Sequence, residues 1–214
     1  MSIHTFRRAA LAVTAAVLLP LALSACSEES TSNQGAAAPD AVSSPQPVGD
    51  TDTDTGAGGP FGPACASVPK SGAGSFDGMA QDPVATAASN NPALSTLVAA
   101  VKKAGLVDTL NNAQNITVFA PTNDAFAKIP KPDLDKVLAD KETLTKILTY
   151  HVVGEKLTPQ QLGSGSFQTL QKGMITTKGS GTAYQVNDSS KVVCGNVPTA
   201  NATVYIVDTV LMPK

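Results

Sequence analysis

The chain has 214 residues, of which 42% are hydrophobic and 15% are charged, with 15 Lys and Arg against 17 Asp and Glu. It has no long run of basic residues, which argues against nucleic-acid binding because phosphate neutralisation dominates that affinity. After the N-terminal leader, no segment approaches the roughly 20 apolar residues that a membrane-spanning helix needs.

Residues 1–25 have the features of an export signal. Arg7 and Arg8 form a positive start, residues 9–23 form a short apolar run, and small residues follow. Residues 23–26 (LSAC) are typical of a bacterial lipobox, in which Cys26 becomes the first mature residue and carries the lipid. An ordinary signal with a chance cysteine is the alternative, and the order of the features favours the lipobox. Two acyl chains would give stable attachment at ~0.8 kcal/mol per buried methylene.

Removing the leader takes away Arg7 and Arg8 and no acidic residue, so the mature chain has 13 basic and 17 acidic residues and a net charge of −4. Cys65 and Cys194 then remain in an exported chain, where we expect them to form a disulfide. Two buried free thiols are the alternative, and the oxidising compartment favours the bond. Closing so long a loop is worth about 4–5 kcal/mol by the chain-entropy argument.

Residues 26–64 are predicted to be a disordered linker that begins with the lipidated Cys26. They are rich in Ser, Thr, Ala, Gly, Pro and Asp and have almost nothing to bury. As a flexible coil they would span roughly 30–37 Å. A passive spacer is the favoured interpretation, and sugars on its threonines are the alternative. Residues 65–214 are predicted to form one domain. On folding, a domain of this length buries about 68–70% of the surface that its unfolded chain exposes.

Helices dominate the first half of this domain. Asn91 is expected to cap a helix with Pro92 in its first turn, and apolar residues from 94 to 101 recur at helical spacing before Gly105 ends it. The following segments are predicted in chain order as a helix at 107–111, a strand at 116–120, a helix at 122–128 and helical stretches around 134–138 and 144–148.

Strands dominate the second half, where Gly, Ser, Thr and Asn punctuate short segments. The predicted strands are 167–170, 174–177, 183–186, 191–194 and 203–207. Residues 187–190 are typical of a hairpin turn. Helices first and strands last predict an α+β domain in which helices pack on a largely antiparallel β wedge.

Three segments carry a resemblance to a known family. Residues 117–126 (TVFAPTNDAF), the Tyr150-His151 pair and residues 204–211 (VYIVDTVL) resemble the two signature segments and the central Tyr-His pair of the fasciclin domain family. The match runs through 75–214. Residues 78–92 and the placement of Cys65 and Cys194 are similar to mycobacterial surface and secreted fasciclin antigens. The resemblance implies a fasciclin-like fold, and adhesion or matrix interaction rather than catalysis.

Together with the leader, the resemblance predicts a lipid-anchored cell-surface protein whose domain mediates adhesion or macromolecular interaction with an unidentified protein or glycan. Lipid on Cys26 would hold it on the extracytoplasmic side of the cell membrane, with partial secretion left open. An envelope small-ligand-binding protein with an apolar groove is the alternative. Animal members often carry an Asp-Ile pair linked to integrin binding, but residues 194–200 (CGNVPTA) contain no acidic residue. That contact is therefore not expected.

The motif residues are predicted to be structural. Thr122, Asn123 and Asp124 stand where a strand becomes a helix, and their side-chain oxygens suit capping and turn bracing. A polar recognition spot is the alternative. Asp208 interrupts an apolar run, so if buried it must be hydrogen-bonded, and we expect it to tie its strand to a neighbouring turn. The glycosylation sequons are expected to be chance matches, at Asn115, Asn187 and Asn201.

His151 is the only histidine left after removal of the leader, and beside Tyr150 it is predicted to be a hydrogen-bonded core residue. As a general base it would need a nucleophile and an orienting partner within reach, and the chain has no GxSxG elbow. One histidine and no cysteine pair at ligand spacing give no support to a zinc site. We therefore predict no enzyme activity, no catalytic residue, no metal and no cofactor.

Overall fold

The structure is a computed structural model that describes residues 58–213. The predicted signal peptide, Cys26 and residues 27–57 of the predicted linker lie outside the described residues. The α-helices within the described range are α1 (Phe76–Gln81), α2 (Val84–Ser89), α3 (Ser95–Ala104), α4 (Val107–Asn112), α5 (Asn123–Ala127), α6 (Lys131–Ala139), α7 (Lys141–Tyr150) and α8 (Pro159–Leu162). Two 3-10 helices cover Pro63–Ser67 and Pro92–Leu94.

The strands form one seven-stranded sheet in the order β2-β1-β7-β6-β5-β4-β3. Their bounds are β1 (Ile116–Pro121), β2 (Val152–Val153), β3 (Ser164–Gln168), β4 (Met174–Ser180), β5 (Ala183–Val186), β6 (Ser190–Pro198) and β7 (Ala202–Val207). β1 and β7 run parallel, and every other neighbouring pair is antiparallel. The predicted largely antiparallel sheet is therefore confirmed, with one parallel pair, β1 and β7, that the sequence did not indicate.

The two ends of the sheet meet. Val153 of the edge strand β2 and Thr169, just after the other edge strand β3, form an isolated bridge, and the Leu170 N–H donates to the Val152 carbonyl at 2.8 Å. The sheet is thus rolled toward a closed barrel, which leaves fewer unpaired strand edges.

β1 and β7 are buried along their whole length because each lies between two apolar clusters. Val118, Val204 and Ile206 face a cluster that includes residues of α1 to α4 and α7. Phe119 and Tyr205 point to the opposite side, into a second cluster enclosed by the rest of the sheet. This alternation is expected when side chains of successive residues point to opposite faces of a strand that is covered on both sides.

Several helix boundaries follow the local signals in the sequence. α3 follows the Pro92–Leu94 turn that Asn91 caps through its side chain, and it ends at Gly105, whose φ of 74° is left-handed. Asp140 caps α7 by accepting hydrogen bonds from the N–H groups of Glu142 and Thr143. The sequence pattern does not reveal α1, α2, α8 or β2, and β3 begins at Ser164 rather than at residue 167.

Residues before Cys65 also contact the sheet. Phe61 and Gly195 of β6 exchange backbone hydrogen bonds of 3.0 and 2.7 Å, and the Phe61 ring lies 5.3 Å from that of Tyr184. The expected Cys65–Cys194 disulfide is present and fastens the Pro63–Ser67 turn to β6 across 129 residues of sequence. Among residues 58–213, no helix combines the length and apolar content that crossing a bilayer requires.

Candidate functional site

His151 is buried, and both of its ring nitrogens are engaged. Nδ1 lies 2.8 Å from the Ile147 carbonyl oxygen, and Nε2 accepts from the Leu211 N–H at 2.9 Å. Because a carbonyl only accepts and a backbone N–H only donates, the ring is neutral with its proton on Nδ1. Burial lowers the pKa of His151 to about 4, although the bond to Ile147 opposes this. The ring therefore joins α7 to the C-terminal segment and has no free nitrogen to serve as a general base.

Tyr150 connects the same helix to the sheet. Its hydroxyl donates to the Met174 carbonyl at 2.8 Å and accepts from Asn187 Nδ2 at 3.0 Å. Asn187 sits in the β5–β6 turn with a φ of 51°, and its Oδ1 accepts from the Thr176 N–H at 3.0 Å. Asn187 thus uses its amide inside the fold, where it braces the hairpin against α7.

The Thr122-Asn123-Asp124 segment braces two helices. Thr122 Oγ1 accepts from the Ala125 N–H and caps α5. Asn123 reaches to the start of α3, where Oδ1 accepts from the Thr96 N–H at 2.9 Å and Nδ2 donates to the Pro92 carbonyl at 2.9 Å. The bond to Thr96 satisfies an N–H group that a helix start leaves without a partner. Asp124 is exposed in the first turn of α5, where a carboxylate complements the helix dipole.

Asp208 follows β7 and ties it to β6 and α5. Oδ1 accepts from the Lys191 N–H at 2.8 Å, and Oδ2 lies 3.2 Å from Nζ of Lys128. Partial burial alone would raise the pKa of Asp208, but the hydrogen bonds from Lys191, Thr209 and Lys128 outweigh it and lower that pKa below its ordinary value. The charged form is therefore the one that the fold holds in place.

Three large hydrophobic side chains are exposed within residues 58–213: Leu170 at 43%, Met174 at 51% and Met212 at 50%. We refer to these three as the apolar rim. Leu170 and Met174 flank the β3–β4 turn, and Met174 lines a surface hollow together with Pro213, the neighbour of Met212 in the chain. Met212 itself lines a different hollow, with Phe126 and Ile129. Exposed large apolar side chains are candidates for an interaction surface.

The helical side of the sheet contains a cavity of about 210 Å³. It lies between α2, α3 and the side chains of β1 and β7 that face the helices, and its lining is mostly apolar. The part of the chain that the structure describes contains no cluster of three or more His, Cys, Asp or Glu residues that could hold a metal ion.

A family model for the fasciclin domain matches residues 92–213, which is more than half of the chain. The chain belongs to the fasciclin family. The matched segment contains Thr122, Tyr150, His151 and Asp208, and it begins at the turn that leads into α3. The fasciclin resemblance of the sequence motifs is thereby confirmed.

Two relatives confirm the predicted similarity to mycobacterial antigens. Immunogenic protein MPB70 of Mycobacterium bovis is 47% identical over 181 residues, which cover 81% of this chain and 88% of that protein. Cell surface glycolipoprotein MPB83 of Mycobacterium bovis is 52% identical over 147 residues, which cover 66% of this chain and 66% of that protein.

The solved structure of a FAS1 domain pair from the insect cell adhesion molecule Fasciclin I resembles this fasciclin domain. The TM-score is 0.52 at 22% sequence identity, and the match covers 63% of this chain and 52% of that one. At this identity the likeness shows the fold alone, and it confirms the predicted fasciclin-like α+β architecture.

Asn201 has a structural role that the sequence did not indicate. In the sequence it stood out only as part of a glycosylation sequon that was expected to be a chance match. It is 7% exposed, and its Nδ2 donates to the carbonyls of Leu110 and Ala113 at 2.7 and 2.6 Å. Its Oδ1 accepts from the Val84 N–H at 2.8 Å. Asn201 therefore joins the start of α2 and the end of α4 to the start of β7. The only signal in the sequence is a polar residue directly before an apolar strand.

Proposed function

We propose that this chain is a lipid-anchored cell-surface protein whose fasciclin domain binds another macromolecule, a protein or a glycan, through the apolar rim. The observation that carries the proposal is the exposure of Leu170, Met174 and Met212 on a domain whose other large apolar side chains are buried or half-buried within residues 58–213. Exposed Met and Leu side chains suit a contact surface because their burial on binding is favourable.

The polar motif residues support binding over catalysis. His151 has both ring nitrogens engaged with the backbone, and Tyr150 bonds to Met174 and Asn187. Thr122 and Asn123 are bonded to backbone groups at helix starts. Side chains used in this way hold the rim in position, and we assign them that structural role.

The strand that precedes the last signature segment is unsuited to an integrin-type acidic contact. Residues 194–200 have no acidic side chain, and the backbone of Gly195 is paired with Phe61. Asn196 donates from Nδ2 to the Gly59 carbonyl at 3.2 Å, so this part of β6 is covered by residues 59–61. A partner is therefore expected at the apolar rim and not at this part of β6.

The anchoring part of the proposal rests on the leader and on the relatives. Lipid on Cys26 would attach the chain to the extracytoplasmic side of the cell membrane, and the segment after it would hold the domain away from the headgroups. One relative carries the name cell surface glycolipoprotein, and another is called an immunogenic protein. The intact mass of the mature chain tests this part, since a mass without diacylglycerol and acyl groups would refute lipidation.

The binding part is tested by immobilising the mature chain and screening it against matrix proteins, glycans and cell-envelope fractions. The triple variant L170S/M174S/M212S should bind a captured partner at least tenfold more weakly, because central apolar anchors each contribute about 1–2 kcal/mol. The control A99S changes an exposed residue of α3 and should bind as the wild type does. Equal binding by the triple variant would refute the rim as the contact surface.

A further inference from the structure

The cavity of about 210 Å³ has the lining of a hydrocarbon site. Met79 and Leu97 from the helices and Val118 and Ile206 from the sheet contribute to its walls. Apolar cavities of about 150 Å³ stay dry and take up small hydrocarbons, because water finds too few hydrogen-bond partners in them. A cavity of this size and lining therefore favours an apolar occupant over water.

Three polar side chains that reach the cavity, Asn91, Thr199 and His151, have acceptor or donor atoms that are already paired. Asn91 Oδ1 accepts from the Ala93 N–H at 3.0 Å, and Thr199 Oγ1 donates to the Ala202 carbonyl at 3.0 Å. His151 has both ring nitrogens engaged. A buried polar group on an occupant would lose its water partners and gain none from these paired atoms. The buried part of a ligand should therefore be a plain hydrocarbon chain.

The opening of the cavity is marked by its exposed lining residues, Thr86 and Ser89 on α2 and Lys102 on α3. Ser89 Oγ donates to the Thr86 carbonyl at 2.6 Å. Lys102 is the one charged residue of the lining, and none of the ion pairs within residues 58–213 includes it. The opening thus presents a cation beside an apolar interior.

We propose that this cavity binds a single-chain fatty acid, with the alkyl chain inside and the carboxylate at Lys102. A methylene takes up about as much space as a water molecule, roughly 30 Å³, so the cavity holds about seven carbons beyond the carboxylate. Octanoate therefore matches its size. This site lies on the helical side of the sheet, and the proposal is independent of binding at the apolar rim.

The length of the ligand's alkyl chain provides the first test. The mature chain carrying C26S, which takes no lipid, is titrated calorimetrically with hexanoate, octanoate, decanoate and dodecanoate below their micellar concentrations. Each added methylene should lower Kd about fourfold up to octanoate, and Kd should then level off. Continuous tightening through dodecanoate, or the absence of saturable binding, would overturn the proposal.

Paired variants provide the second test. A88L fills the cavity from α2 and should weaken octanoate binding at least tenfold, whereas A99L adds the same side chain to the exposed face of α3 and should leave Kd unchanged. A88L is also measured for its unfolding midpoint, which should match or exceed the wild-type value because filling a void adds packing contacts. Octanoate binding by A88L at the wild-type Kd would refute the site.

The head-group contact is tested at the surface, where substitutions leave the fold intact. K102Q should raise the Kd for octanoate about threefold, the size of an exposed ion pair, and should leave the Kd for 1-octanol unchanged. K103Q, its neighbour on α3 outside the lining, should change neither value. An equal effect of K102Q and K103Q on octanoate would contradict the placement of the carboxylate at Lys102.

Discussion

The wild-type domain should lose free energy of unfolding between pH 7.5 and pH 5, and replacing His151 with glutamine should abolish most of that loss. The folded chain holds the ring neutral with a pKa of about 4, whereas the unfolded chain has a histidine pKa of about 6.5. As the pH falls, the unfolded chain therefore takes up a proton that the folded chain does not. Stability is fully present above pH 6.5 and is lost as the pH falls toward 4.

The magnitude follows from the two pKa values. Each pH unit inside the window corresponds to about 1.4 kcal/mol, and the loss between pH 7.5 and pH 5 comes to about 2 kcal/mol. His151 is the only histidine after the leader, and carboxylates titrate mainly below pH 5, so this range isolates one group. Structurally, a protonated Nε2 can no longer accept from the Leu211 N–H.

The assay is equilibrium urea unfolding of the chain from residue 27 onward, followed by far-ultraviolet circular dichroism because the chain has no tryptophan. The wild type should lose about 2 kcal/mol between the two pH values, and H151Q should lose less than about 0.5 kcal/mol. A direct NMR titration of the single imidazole should give a pKa near 4. Equal losses in the two proteins would refute the buried neutral histidine.

Three further substitutions test the bonds that hold the domain together. C65S/C194S should lower the free energy of unfolding by about 2–5 kcal/mol in guanidinium unfolding. A reductant should produce the same loss in the wild type and no further loss in the variant. A loss below about 1 kcal/mol would contradict a stabilising role of the disulfide. N201A should lower the free energy of unfolding by about 3 kcal/mol, because it leaves buried backbone groups of residues 84, 110 and 113 unpaired. The control N112A, on the exposed side of α4, should have a free energy of unfolding within about 0.5 kcal/mol of the wild type. D208A should lower Tm by about 3–6 °C in a calorimetric scan through loss of the bonds to Lys191 and Lys128, and an unchanged Tm would show that these contacts add nothing.

Elements with a strong apolar period or a long apolar run could be predicted from the sequence. The residues of α3 and α7 fall in helical stripes. Gly105 ends α3 because it adopts a left-handed backbone conformation easily, and Asp140 caps α7 through its carboxylate. β1 and β7 are apolar runs that suit strands buried on both faces. Their parallel pairing depends on contacts between segments far apart in the chain, which no local pattern specifies.

The elements that were missed are short or weakly apolar. α1 and α2 have six residues each and bury only Met79, Val84 and Ala87, so they show too few apolar positions to reveal a helical period. β2 has two residues. Such elements gain their stability from the packing of the whole domain rather than from their own sequence.

The candidate site was predictable only in part for a similar reason. The capping chemistry of Thr122 is local, whereas Asn123 acts on the start of α3 and Asn201 acts on α2 and α4, both across long stretches of chain. A cavity is likewise a property of packed elements, and the apolar rim depends on which apolar side chains the fold leaves uncovered. Composition and spacing do not encode these properties.

The central claim is that an anchored chain binds its partner through the apolar rim, and one experiment on intact cells tests it most directly. Cells that produce the wild type, C26S or L170S/M174S/M212S are separated from their medium, and each fraction is assayed for the protein and for capture of the partner. We expect C26S to move to the medium and still bind, and the triple variant to stay on the cells and bind the partner at least tenfold more weakly. Retention of C26S on the cells, or undiminished capture by the triple variant, would contradict it.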